Sequence, residues 1–203
     1  ATIELPVTRQ LFASPLDDYW EFGPKLSVGR DYARKSSLVF SYQGSWAFYD
    51  TDSEVTADGR SIPGTHREIK AHDVRLTWRH DWDESRRWRT TLKGGTKFNV
   101  DNGSGYFDFV RPYAAAEVRY RQRPWELALE GRCSYYHYPV QTVSATDLSS
   151  RQRWVITVAV RAEKKFTKHL KVFASYALDD SISDLDFDDY VANSVMGGFG
   201  IEF

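Results

Sequence analysis

No run of about 18 apolar residues occurs anywhere in the 203-residue chain, so a transmembrane helix is excluded. A single cysteine, Cys133, rules out an internal disulfide framework. An excess of one charge is missing too: 27 Lys and Arg against 28 Asp and Glu leave a net charge of -1, and no global field points to nucleic acid. No linker or low-complexity tract interrupts the chain, which predicts one domain over residues 1–203. Mean hydropathy is -0.54. That value argues against a membrane protein only if crossing requires helices; a spanning β-sheet shows hydrocarbon only alternate side chains. What is plentiful is aromatic: 15% of residues, with 7 Trp and 12 Tyr.

Alternation of apolar and polar residues runs through nearly the whole chain, and a strand has a side-chain period of two. Residues 19–30 place Trp20, Phe22, Leu26 and Val28 against Glu21, Lys25 and Ser27, and residues 37–49 place Leu38, Phe40, Tyr42, Trp46 and Phe48 against Ser41, Gln43 and Ser45. Similar patterns recur over 70–80, 88–100, 110–121, 125–135, 153–163, 170–178 and 195–203, giving nine predicted strands. A tenth is predicted where Ile3, Leu5, Val7 and Leu11 alternate, although Pro6 demotes it toward an edge.

Connections are expected to alternate in length. Short turns fall at 31–35, 80–87, 122–124 and 164–168, and longer loops rich in Asp, Ser and Gly at 50–67, 101–107, 139–150 and 179–189. Tryptophans gather near predicted strand ends, with Trp78, Trp82, Trp88 and Trp125 toward the short turns and Trp20, Trp46 and Trp154 toward the loops. The chain closes on Gly198, Ile201 and Phe203, at spacings that resemble the terminal insertion signal of Gram-negative outer-membrane β-barrels. That resemblance, together with loop alternation and two aromatic girdles, implies an all-β, transmembrane, antiparallel up-and-down β-barrel of about ten strands (range 8 to 12). It implies a bacterial outer-membrane location, with lipid, lipopolysaccharide, the barrel-insertion machinery and other envelope subunits as partners. The final hairpin, a Ser/Asp-rich loop followed by Asp188-Asp189-Tyr190 and a Gly-rich strand, resembles the C-terminal barrels that follow periplasmic helical repeats in some export proteins.

With the apolar face outward, the polar face becomes a lumen charge network of Arg75, Arg79, Arg89, Lys93, Lys97, Arg111, Glu117, Arg119, Glu130, Arg132, Arg161 and Glu163. In a barrel of ten strands such side chains occupy most of the interior, so a packed network is expected before an open pore. The same basic lining gives a second reading, an anion-leaning, porin-like channel. A third is a rim-site lipid or peptide hydrolase. Ser134, His137 and Glu130 make the nearest catalytic trio, but strand parity puts His137 on the opposite face from Ser134. The aspartate pairs Asp179-Asp180 and Asp188-Asp189, with His66 or His72, resemble the Asp/His arrangement of omptin-type proteases, although the omptin motifs are absent. Six aspartates in the 179–189 loop offer oxygen ligands to calcium without the order of an EF-hand. The leading expectation is therefore non-enzymatic and free of metal or cofactor: a membrane-embedded scaffold or narrow conduit for envelope assembly or export.

Overall fold

The computed structural model describes residues 1–11, 18–144, 146–167 and 169–201. They form one antiparallel sheet, with a single 3-10 turn over Asp186–Asp188 and no α-helix among the described residues. The strands are β1 (Thr2–Glu4), β2 (Val7–Gln10), β3 (Tyr19–Phe22), β4 (Lys25–Ala33), β5 (Ser36–Tyr49) and β6 (Glu68–Asp81). They continue as β7 (Trp88–Asp101), β8 (Phe109–Gln122), β9 (Trp125–Thr142), β10 (Ser150–Lys165), β11 (Leu170–Ser183) and β12 (Tyr190–Ile201). Beyond the first hairpin each strand pairs with the next, an uninterrupted up-and-down meander.

The N-terminal strands are split by residues that cannot feed a ladder. Pro6 and Pro24 lack an N–H. Register nevertheless continues across both breaks: Glu4 faces Lys25 and Val7 faces Phe22, while both β3 and β4 pair with β5. The twelve strands thus lie on ten tracks. At the second break the backbone of Gly23 crosses so close to β5 that a Cβ there would lie 2.1 Å from the Gly44 carbonyl oxygen, so only glycine fits.

Two sequence expectations on loops change. β9 runs on through Pro139 to Thr142 and β11 through Asp179 and Asp180 to Ser183, so the loops shrink to 143–149 and 184–189. Cross-strand partners extend the ladders past the point where alternation fades: Ser150 pairs Thr142, and Asp179 and Asp180 pair Ala192 and Val191. The length contrast between the two ends survives chiefly in the 50–67 loop.

The apolar ladders are exposed and the polar ones enclosed. Leu76, Leu92, Leu129 and Val160 are 44–51% exposed, whereas Thr77, Thr91, Asn99 and Ser134 on the other face are 5–7% exposed. A flat sheet would expose both faces alike, so the polar face is the concave one. No large side chain is fully buried among the described residues, and the apolar part of the interior reduces to Ala47, Ala71, Ala115 and Tyr138. This is the reverse of a soluble sandwich, whose alternating apolar residues pack inward.

The expected closed barrel is not formed. β12 pairs only with β11, and β1 and β2 only with β4 and β3, so both ends of the sheet present free edges. The first edge is built from strands of 3 and 4 residues interrupted at Pro6, which leaves few consecutive donors for a closing ladder. Phe203 of the insertion signal and residues 12–17, between β2 and β3, lie outside the described residues; Gly198 and Ile201 sit on β12.

Candidate functional site

The concave face is the candidate site, and strand register stacks its ionisable groups into bands. Nearest the short turns one row reads Asp81, Arg89, Arg119, Ala128 and Arg161 across β6 to β10. Asp81 accepts two hydrogen bonds from Arg89, Nε at 2.7 Å and Nη2 at 3.1 Å, the bidentate geometry that a planar guanidinium allows. Arg86, held at a positive φ of 53° in the turn, approaches the same carboxylate to 3.7 Å. One step outward, Glu126 accepts from Arg121 Nε at 2.8 Å and lies 3.6 Å from Arg119, while Glu163 lies 3.4 Å from Arg161 and 3.8 Å from Lys171. Arg119, Glu126, Arg161 and Glu163, with Glu117 and Ala128, line a cavity of about 280 Å³. The adjoining turn is fixed by Asp83, whose carboxylate accepts from the Ser85 hydroxyl and from the Trp88 amide at 3.0 Å. The Ser85 hydroxyl first, and the backbone amide next, pull the Asp83 carboxyl down to about 2.

At mid-height Tyr113 reaches from β8 across β7 to β6. Its hydroxyl accepts from Arg75 Nε at 2.8 Å and donates to Asp73 at 3.1 Å, with Arg75 and Asp73 3.5 Å apart. The crossing is possible because β7 carries Gly95 beneath the ring: a Cβ there would lie 2.8 Å from the Tyr113 hydroxyl and 2.4 Å from the Val74 carbonyl. Arg132 lies 3.9 Å from Glu130, and Asp179 accepts from Thr157 at 2.6 Å. Arg79 and Lys93 face the same side without an ion pair among the described residues.

Toward the long loops the partners change from carboxylates to rings. Asp73, Lys97 and Arg111 are cross-strand neighbours, as are Tyr136, Arg153 and Ser183, and Arg111 Nη1 donates to the Tyr136 hydroxyl at 3.0 Å. Arg111 lies between Tyr113 and Tyr136 at 5.5 and 5.4 Å, Arg153 sits 4.6 Å over Tyr136, and Arg151 sits 4.7 Å over Tyr138. Arg151 also hydrogen-bonds Gln141 and Asp188, and Arg153 lies 3.9 Å from Asp188. Tyr138 is 9% exposed, so this cluster is shielded from bulk solvent.

Of the residues expected in the network, Arg75, Arg89, Arg119, Glu130, Arg132, Arg161 and Glu163 engage an opposite charge, while Lys97 rests 5.9 Å from Phe109 and Arg111 is held by tyrosines. Glu117 lines the short-turn cavity. The missed residues are Asp81, Arg151 and the inward tyrosines Tyr113, Tyr136 and Tyr138. Parity could have found the tyrosines: Tyr136 and Tyr138 share the face of Ser134, and aromatic residues on a charged face are unusual.

The trio of Ser134, His137 and Glu130 does not assemble. Tyr136 and Tyr138 point into the concave cluster, which leaves His137 between them on the convex side. His72 stacks on Tyr42, and His80 on Trp78, so both belong to the aromatic convex face. The loop aspartates are used one at a time: Asp184 accepts from the Gln152 amide, Asp188 from Arg151, and Asp189 from the Ser183 amide. No group of three or more metal-ligating side chains occurs among the described residues. Comparison with protein-family models, curated proteins and solved structures finds no match for the chain.

Proposed function

We propose that the chain forms wall of an outer-membrane β-barrel and serves there as a membrane-embedded scaffold or narrow conduit for envelope assembly or export partners. The observation that carries this reading is the spacing of two aromatic belts on the convex face. One belt stacks Trp78 on His80, His80 against Trp82, and Trp88 on Tyr120; the other groups Phe22 with Trp46 and Phe48, and Tyr135 with Trp154. On β9 and β10 the belts run from the Trp125–Lys164 pair to the Tyr135–Trp154 pair. That is about ten residues, or roughly 33 Å along a strand. With strands tilted by about 40°, it becomes about 25 Å, the height of the apolar band of outer-membrane barrels. Between the belts the large exposed side chains are mainly Leu, Val, Ile and Phe, a patch far too large for a monomer in water.

The free edges of β1–β2 and β12 supply the scaffold role, since their unpaired backbone groups must be satisfied inside a bilayer. We assign them to further antiparallel strands from other envelope subunits. The excess of Arg and Lys over carboxylate on the concave face favours the second reading, an anion-leaning pore, whose mark is a shifted reversal potential in a planar bilayer.

The test places single cysteines in a Cys133→Ala background, labels them with bimane, and reconstitutes the protein in brominated lipid. Quenching is expected for Leu92→Cys, Leu129→Cys and Val158→Cys and not for Lys93→Cys or Arg132→Cys. Equal quenching on both faces, or none on either, overturns the proposal.

A further inference from the structure

We infer that the long-loop end of the concave face binds an oxyanion, the carboxylate or phosphate group of an acidic solute. The inference rests on the reading of that face as the wall of a conduit, and names what the wall recognises there.

Two guanidinium groups, Arg151 and Arg153, meet a single carboxylate, Asp188, and a third, Arg111, shares Tyr136 with Arg153 and meets no carboxylate among the described residues. Lys97 is cross-strand to Arg111, and the neighbouring acids are already engaged, Asp73 by Arg75 and Tyr113 and Asp179 by Thr157. The cluster therefore holds more positive charge than its own acids neutralise. Its solvation is also reduced: the side chains of Arg151, Arg153 and Asp188 are 12, 21 and 13% exposed.

The donors themselves are the second observation. The Nε atoms of Arg111, Arg151 and Arg153 are shut off from solvent and have no acceptor among the described residues. On the neighbouring strand Ser181, 2% exposed, has an Oγ in the same state, on the same face and two positions along β11 from the partner of Arg153. Buried polar groups in native proteins are nearly always paired, and several orphans in one cluster mark a place where a partner enters. Arginines whose task is only to tie strands together use their edge donors on protein, as Arg89 does on Asp81. In the long-loop cluster tyrosine rings support the faces of the guanidinium groups. Stacking leaves edge N–H groups available in the fork geometry that matches a carboxylate or phosphate.

The experiment is calorimetric titration of the full chain in detergent micelles at constant ionic strength, with glucuronate, inorganic phosphate and neutral glucose as probes. Glucuronate and phosphate are expected to bind and glucose not. Tighter glucuronate identifies carboxylate as the group recognised, and tighter phosphate a phosphate group; either order supports the site. Arg153→Gln weakens binding about tenfold, the loss expected for one charged hydrogen bond. Asp188→Asn strengthens it by removing the competing carboxylate, and Arg79→Gln, away from the tyrosines, leaves it unchanged. If Arg153→Gln fails to fold, Arg111→Lys, which keeps the charge and loses the fork, reports the same weakening. Absence of binding by both anions, or equal loss in Arg79→Gln and Arg153→Gln, overturns the inference. Lipid quenching at Leu92 and Leu129 does not depend on this cluster, so a failed site and a failed membrane reading are told apart.

Discussion

The two ends of the concave face use the same residue, arginine, in opposite ways. Near the short turns Arg89, Arg119, Arg121 and Arg161 are matched by Asp81, Glu126 and Glu163; the pairs of Arg89, Arg119 and Arg121, and that of Lys171 with Glu163, span neighbouring strands. Near the long loops Arg111, Arg151 and Arg153 are matched mainly by Tyr113, Tyr136 and Tyr138, and one aspartate serves both Arg151 and Arg153. A carboxylate satisfies both the charge and the donors of a guanidinium; a ring supports the charge and leaves donors over. The first arrangement holds strands in register. The second leaves capacity to bind.

The sharpest way to break the comparison is at Asp81, whose side chain is 10% exposed and faces both Arg89 and Arg86. Asp81→Asn leaves two guanidinium groups facing a neutral amide in a half-shielded site, and we expect a loss of about 2–3 kcal/mol in chemical unfolding, discounted from a fully buried pair because Arg89 is partly exposed. Arg153→Gln, at the other end, is expected to cost under about 1 kcal/mol, since it removes a stacking contact and a long ion pair. Equal losses would erase the distinction.

Gly95→Ala comes next. The added Cβ would meet the Val74 carbonyl and the Tyr113 hydroxyl, so the tyrosine must leave Arg75 and Asp73. A cost of about 2 kcal/mol is expected from overpacking. Part of it disappears in the Tyr113→Ala background, and a fully additive double-mutant cycle would disprove the coupling.

The smallest effect lies in the short turn. Because the folded Asp83 carboxyl is held at about 2 against an ordinary 3.8, its stabilisation of the 82–87 turn is fully present above pH 3.8 and is lost as pH falls through about 2. Amide exchange at Trp88, followed by NMR across that range, should accelerate only at the acid end. In Ser85→Ala the midpoint moves up toward 3.8, because the strongest hydrogen bond to the carboxylate is gone.

Sequence reading located the ladders but not their ends or their ties. Period-two alternation is a property of the strand itself, so the faces of β5 to β11 were legible residue by residue, down to Leu92 opposite Lys93. The extension of β9 through Pro139 was not, because the ladder with β10 is irregular between the Gln152–His137 and Ser150–Thr142 pairs and no period-two pattern carries across it. Tyr113 could not be tied to Arg75 and Asp73, since the link depends on Gly95 being the residue between them in the sheet. Asp81, placed at a predicted turn, became the anchor of a salt-bridge band only once β6 and β7 were paired.

What the amino-acid order fixed by itself was which side of each strand is greasy, because side-chain direction follows from backbone geometry one residue at a time. Tertiary structure decided which charges meet, since that is set by register between strands separated in sequence. It alone also decided that the ten tracks stop short of a ring: closure requires strand count, tilt and shear to agree across the whole sheet, and no local pattern encodes that agreement.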